Sequence, residues 1–275
     1  MIEIPEAIVL TNQINKTLKG KKINHVIANS SPHGFAFFHG NPDEYNDLLS
    51  GKIISEAKAY AGWIKIEIDE MLLVLSEGLN LRFLNSDKTL PKKHQLLIIF
   101  DDDSCFVVTV SMYAAIMCCT PKELNNNKYY NLAVNSISPL SDEFDYEYFL
   151  SLFNEKTLKL SAKAFLATDQ RIPGLGNGVL QDILLNAKIH PKKKMNTLTE
   201  EQKTLMFNSI KSTLFDMFDK GGRNTERDLF GNPGGYSVKL SKNTVLSICQ
   251  NCGGTIKKES YLGGSIYFCD TCQEK

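Results

Sequence analysis

The chain has 275 residues, 43% of them hydrophobic and 23% charged, enough for two cores and a small accessory module. Its 31 basic and 31 acidic side chains give a net charge of zero, which argues against a strong non-specific nucleic-acid binder but leaves room for a local basic face. No run approaches the roughly eighteen apolar residues of a membrane span, and Met1-Ile2-Glu3-Ile4-Pro5-Glu6 lacks the basic-then-apolar order of an export signal, so a soluble cytoplasmic protein is expected.

Residues 4–19 read as a helix. Pro5 suits its first turn, Glu3 and Glu6 favour its positive end, Ile4, Ile8, Leu10, Ile14 and Leu18 mark an apolar side, and Gly20 stops it. From Lys22 to about Met117 the pattern turns to short β runs, among them Ile23–Ile27, Phe35–Phe38, Trp63–Ile68, Leu72–Leu75, Leu96–Phe100 and Cys105–Val110. Strands at that spacing predict a sandwich or barrel, with Cys105, Cys118 and Cys119 as buried structural thiols. Thr120–Asp145, rich in asparagine, reads as a linker. Helical patterns follow at Tyr146–Asn154, Ala162–Thr168, Val179–Ala187 and Glu200–Lys220, the last ended by Gly221-Gly222. Residues 223–244, containing Gly231-Asn232-Pro233-Gly234-Gly235, form a polar loop of the length expected of a functional lid or a disordered segment.

The order of elements predicts an α+β chain: a helix and β-sandwich over 1–120, a linker over 121–145, a helical domain over 146–244 and a terminal module over 245–275. That module carries Cys249 and Cys252, then, after sixteen residues, Cys269 and Cys272. Two such knuckles joined by a hairpin supply four thiolates in a tetrahedron for structural zinc. Gly253-Gly254 and Gly263-Gly264 provide turns, and Ser265–Phe268 reads as the return strand. Two disulfides or unconnected thiols are the alternative, in a chain where nothing else looks secreted. Lys192-Lys193-Lys194, Lys92-Lys93-His94 and Lys257-Lys258 are candidate basic clusters or solvated loops.

Pro173-Gly174-Leu175-Gly176 is a tight turn that allows close backbone approach, and Asn177 stands where it can cap the next helix. Free N–H groups at Gly176 and Asn177 would suit a phosphate oxygen, and an ordinary helical hairpin is the plainer alternative.

Taken together these residues resemble the formamidopyrimidine-DNA glycosylase / endonuclease VIII family over nearly the whole chain. The likeness rests on the paired glutamates of the first helix, the β-sandwich, a helix–two-turn–helix holding Gly174-Leu175-Gly176-Asn177, the glycine-bounded loop from Gly221 to Tyr236, and the four cysteines. The resemblance implies a protein that flips a damaged nucleotide from double-stranded DNA, cuts its glycosidic bond and nicks the strand through a Schiff base on an N-terminal proline. It implies Glu3 as catalytic acid, Glu6 as second glutamate, Asn177, Gly176 and Lys163 on the phosphate backbone, and Leu79 as an apolar wedge. It also implies structural zinc on Cys249, Cys252, Cys269 and Cys272, and a monomer on DNA.

Several positions depart from the family pattern. Ile2 replaces the proline and would offer an amine there only if Met1 were removed, and Gly62 takes the place of a lysine that Lys65, on the opposite strand face, replaces poorly. Ser76-Glu77-Gly78-Leu79 stands for the intercalating loop, no second wedge is found around Ser111–Ala115, Asp182 replaces a glutamate, and Gly264 stands where an arginine grips phosphate. The expectation is a base-excision repair protein of altered chemistry, with Glu3 and an N-terminal amine or activated water at its centre. The alternative is an inert protein of the same fold that binds distorted or abasic DNA.

Overall fold

The computed structural model describes residues 1–273 and 275, which form two compact units: Met1–Asn135 with Lys220–Gly235, and Ser136–Asp219 with Tyr236–Lys275.

In the first unit, α1 (Ile4–Thr17) starts at a capping box, in which the Glu3 carboxylate accepts the N–H of Glu6 and the Glu6 carboxylate accepts the Glu3 N–H at 3.2 Å. Its inner side buries Ile4, Ala7, Leu10 and Ile14, and the chain leaves it through Gly20 at φ +83°. The strands are β1 (Ile23–Ala28), β2 (Ala36–Phe38), β3 (Ile54–Tyr60), β4 (Trp63–Ile68), β5 (Met71–Leu75), β6 (Leu79–Leu84), β7 (Leu96–Phe100), β8 (Cys105–Val110) and β9 (Ala114–Cys119), with the short helix α2 (Tyr45–Leu49) after β2. They build a four-stranded sheet ordered β1-β7-β8-β6 and a five-stranded sheet ordered β2-β9-β5-β4-β3. All pairs are antiparallel except β2 with β9.

One core joins both sheets to α1, taking Ile64, Ile66, Leu73 and Ile116 from one sheet and Leu81, Ile98, Phe106 and Val108 from the other. The alternation along β4 puts its isoleucines inside and leaves Lys65 on the other face, paired with Glu67 at 2.8 Å. Cys105, Cys118 and Cys119 are buried, as expected, and burial pushes the Cys118 thiol up to about 12.

The segment expected as a linker is instead structured. It contains α3 (Pro121–Leu124), started by a capping box between Thr120 and Glu123, and α4 (Lys128–Val134), capped by Asn127. The polar residues that read as linker are helix caps, and Tyr130 anchors α4 edge-on against Tyr60 and Trp63.

The second unit holds α5 (Tyr146–Ser151), α6 (Ala162–Ala167), α7 (Asn177–Asn186) and α8 (Glu200–Asp219), then the hairpin of β10 (Lys257–Tyr261) and β11 (Gly264–Phe268). Phe144, Phe149, Phe153, Phe165 and Phe207 interlock among the helices. The 223–244 stretch is not one loop: 223–235 belongs to the first unit and 236–244 to the second. Within the first part, the Asp228 carboxylate accepts the N–H groups of Phe230 and Asn232, which folds Gly231–Pro233 into an ordered turn.

Candidate functional site

Two constellations stand out, one in each unit. In the first, Gly221-Gly222 turns the chain after α8, with both glycines at positive φ, and places Arg223 against the start of α1. The Arg223 guanidinium grips Glu6 with two prongs, Nε to Oε1 at 2.9 Å and Nη2 to Oε2 at 2.7 Å, and its backbone N–H reaches the same Oε1 at 3.1 Å. Nη1 lies 3.6 Å from Glu3 Oε1, and Nη2 also donates to the Met1 carbonyl at 3.2 Å. All three charged side chains are buried. Burial alone would raise the Glu6 pKa, but the charge and hydrogen bonds of Arg223 outweigh it and hold Glu6 below the usual carboxylate range. Burial likewise opposes the charge on Arg223, yet the facing Glu3 and Glu6 raise its pKa further.

The terminal amine of Met1 pairs with the Glu226 carboxylate. A small cavity beside them is lined by Ile2, Glu6, Leu10, Leu79, Asn80 and Arg227. Glu77 is a fourth carboxyl in this region, raised by burial and by the charge of Glu3. Carboxylates with one partner holding them charged and another pushed toward its neutral form are the arrangement needed to stabilise a cation and move a proton.

In the second unit, Gly176 is the N-cap residue of α7 and Asn177 is its first helical residue. Asn177 Nδ2 donates to the Ser265 carbonyl at 3.1 Å, beside a second bond from Gln181 Nε2 at 3.2 Å, while Gln181 Oε1 accepts the Tyr267 N–H. Lys163 of α6 is 5% exposed and donates to the Tyr261 carbonyl at 2.6 Å. Burial lowers its pKa. A Cβ placed on Gly264 would lie 3.4 Å from Lys163 Nζ and 4.0 Å from Asn177 Nδ2, so the hairpin turn, the lysine and the amide converge on one spot. Asp182, buried on α7, accepts from the Tyr236 hydroxyl and from the N–H groups of Lys239 and Leu240, fixing the chain that leads to the cysteines.

Cys249, Cys252, Cys269 and Cys272 bring their sulfurs within 4.8 Å of one another, a cluster that could hold a metal ion. The Cys249–Cys272 and Cys252–Cys269 separations are 3.8 and 3.4 Å, close to the ~3.8 Å edge of a sulfur tetrahedron with ~2.3 Å metal–sulfur bonds. The Gly254 N–H on its sulfur brings Cys252 down to about 7, whereas burial raises Cys269 and Cys272. A Cβ on Gly254 would lie 3.3 Å from both Cys252 and Cys269 sulfurs, so the knuckle requires glycine there.

Comparison with known proteins places this geometry. Residues 136–227 match the formamidopyrimidine-DNA glycosylase H2TH domain. The formamidopyrimidine-DNA glycosylase of Wolbachia pipientis subsp. Culex pipiens (strain wPip) is 28% identical over 281 residues, covering 99% of this chain and 100% of the relative. That of Legionella pneumophila subsp. pneumophila (strain Philadelphia 1) is 27% identical, covering 99% and 98%. Over nearly its whole length the chain is thus similar to formamidopyrimidine-DNA glycosylases. Its fold superposes on Lactococcus lactis Fpg, solved with abasic-site DNA, at a TM-score of 0.84 and 23% identity over 99% of this chain and all of the other. A MutM complex with carbocyclic 8-oxo-G DNA gives 0.81 at 24% identity, over 99% and 100%.

Within the family framework several expectations change. Leu79, expected as an apolar wedge, is 1% exposed and sits at the start of β6 opposite Val110, where β pairing turns its side chain into the core. Ile2 is likewise a core residue, packed among the sheet side chains. Glu3 is fully buried, with its carboxylate 3.6 Å from Arg223 Nη1. Asn177 does not cap α7 through its side chain, which reaches across to the hairpin instead. Gly62 lies in the turn between β3 and β4 and carries no replacement for the family lysine. Arg223 and Glu226 are not legible in the sequence, where their opposite charges look like the polarity of a loop, and neither is Gln181, hidden in the helical pattern of α7.

Proposed function

We propose that the chain is a base-excision repair protein that binds damaged or abasic double-stranded DNA and acts on it as a glycosylase or abasic-site lyase. The observation that carries this reading is the alignment, end to end, with formamidopyrimidine-DNA glycosylases, while the first glutamates and the cysteine module keep the family's order. Base release from a duplex requires the target to leave the stack. Breaking its glycosidic bond leaves positive charge on the sugar, which the carboxylates Glu3 and Glu6 suit.

In this reading the nucleophile is a terminal amine, which Glu226 would orient, or a water activated by a carboxylate. Lys163, Asn177 and the N–H groups at Gly176 contribute on the DNA-binding side, through a hairpin they already hold. Cys249, Cys252, Cys269 and Cys272 would hold zinc, whose tetrahedral thiolate preference the sulfur spacing fits; it would supply folding energy to the module and no chemistry. Among the described residues no helix is long and apolar enough to cross a membrane.

The test is incubation with abasic-site DNA and borohydride, beside a band-shift assay and a panel of lesion duplexes read for base release. A trapped adduct mapping to the N-terminal peptide, or base release without trapping, supports the enzyme. Tight binding with neither outcome across the panel leaves an inert DNA-binding protein of the same fold.

A further inference from the structure

Arg223 does more at the start of α1 than loop packing requires. Three hydrogen bonds from this one residue converge on the Glu6 carboxylate, two from the guanidinium and one from the backbone, while a further nitrogen faces Glu3 and another bond reaches the Met1 carbonyl. The segment that delivers it is built around the contact. Gly222 sits at φ +97°, where a Cβ would lie 3.6 Å from Glu6 Oε1, and a Cβ on Gly234 would fall 2.1 Å from the Gly222 carbonyl oxygen. The 3.6 Å contact is ordinary, so Gly222 is called for by its positive φ and Gly234 by the overlap with the Gly222 carbonyl.

We propose that Arg223 is a positioning residue of the repair site: it fixes Glu3 and Glu6 as a paired carboxylate centre and fastens the 220–235 segment to the start of α1. The assignment rests on the function proposed above and deepens it. A bidentate fork sets the plane of the Glu6 carboxylate and, through it, the capping box that orients Glu3. The reacting centre this suits is one that becomes positively charged, such as a deoxyribose losing its base.

The charged groups around the pair are few. Arg223 faces Glu3, Glu6 and Glu226, while Glu77 adds its charge near Glu3. Arg227 and Asp228 line a second small cavity next to Glu6, between it and Gly221-Gly222, and the Met1 amine is held by Glu226. Loss of the Arg223 charge would thus leave carboxyls facing carboxyls in a buried setting, which favours their protonation.

The experiment uses the full chain as R223K and R223M, with E6Q to assign the signal. The Glu6 carboxyl is followed by carbon-13 NMR through an acid titration, and base release and abasic-strand cleavage are recorded against pH. The expected result is that Glu6 titrates about one pH unit or more higher in R223M, with R223K restoring part of the difference, and that the acidic limb of turnover moves the same way. If R223M does not fold, the R223K titration decides alone. A purely structural clamp would lower stability and leave both the titration and the acidic limb of the folded variants in place; that result overturns the proposal. A wild-type chain without turnover on any substrate would overturn the functional reading and the catalytic half of this assignment, whereas an unshifted Glu6 carboxyl overturns the pairing itself.

Discussion

Lys163 donates from Nζ to the carbonyl oxygen of Tyr261 at 2.6 Å, tying α6 to the last residue of β10. The side chain expected to grip phosphate is thereby committed to the hairpin, and the hairpin in turn rests on Asn177 and Gln181 of α7. Replacing Lys163 with Met removes a nearly buried, charge-assisted hydrogen bond and should cost about 1.5–3 kcal/mol. Urea unfolding measures it, and the hairpin amides should lose protection in hydrogen exchange before those of α8.

Metal removal should act on the same module. The Leu185, Leu240 and Ile256 cluster that includes Cys249 and Cys269 is small, so the four thiolates need their ion to stay together. Elemental analysis should find one zinc per chain, a strong chelator should lower the melting temperature, and C252S should abolish stoichiometric binding while the β-sandwich stays folded.

Asp182 is fully buried and accepts three hydrogen bonds, from Tyr236, Lys239 and Leu240. Burial raises its pKa even so, outweighing the three hydrogen bonds and the charge of Lys239, which act the other way. Asn at this position turns one acceptor into a donor that faces other donors. D182N should therefore destabilise by about 1–3 kcal/mol, with faster exchange of the Lys239 and Leu240 amides.

Glu6 gives stability a pH dependence with a definite sign. Its folded pKa is depressed, so its contribution is complete above the unfolded carboxylate value of about 4.3 and is lost as pH falls through the folded value. Urea midpoints should fall on acidification below about pH 4 more steeply in the wild type than in E6Q. At neutral pH, E6Q should itself be destabilised by about 3–5 kcal/mol, because Arg223 is left buried with only part of its pairing.

Gly234 is a position where size alone decides. A methyl group there would overlap the Gly222 carbonyl, so G234A should destabilise strongly and disturb the Arg223 contact. G20A is the matched control: it meets nothing within 4 Å and should show only the cost of an alanine at positive φ, about 1 kcal/mol. Thermal unfolding of the two variants separates overlap from backbone strain.

Much of the fold was legible because its signals are local. The run at Trp63–Ile68 alternates apolar and polar residues, and β4 occupies that range. The helix from Glu200 ends at the glycine pair, as its stop signals predict. The linker was misread for the converse reason, since the asparagine and threonine that look like loop composition also cap helices, and only the burial of Tyr130 distinguishes the two.

By itself the sequence determined the α+β order, the four-cysteine spacing and the two glutamates at the head of the first helix, because periodicity, spacing and capping each act over a few residues. Tertiary structure alone decided that Arg223, more than two hundred residues away, closes onto Glu6, that Leu79 faces inward, and that Lys163 and Asn177 hold the hairpin. Those contacts depend on which distant side chain reaches a buried carboxylate or carbonyl first, a competition that composition and spacing do not record.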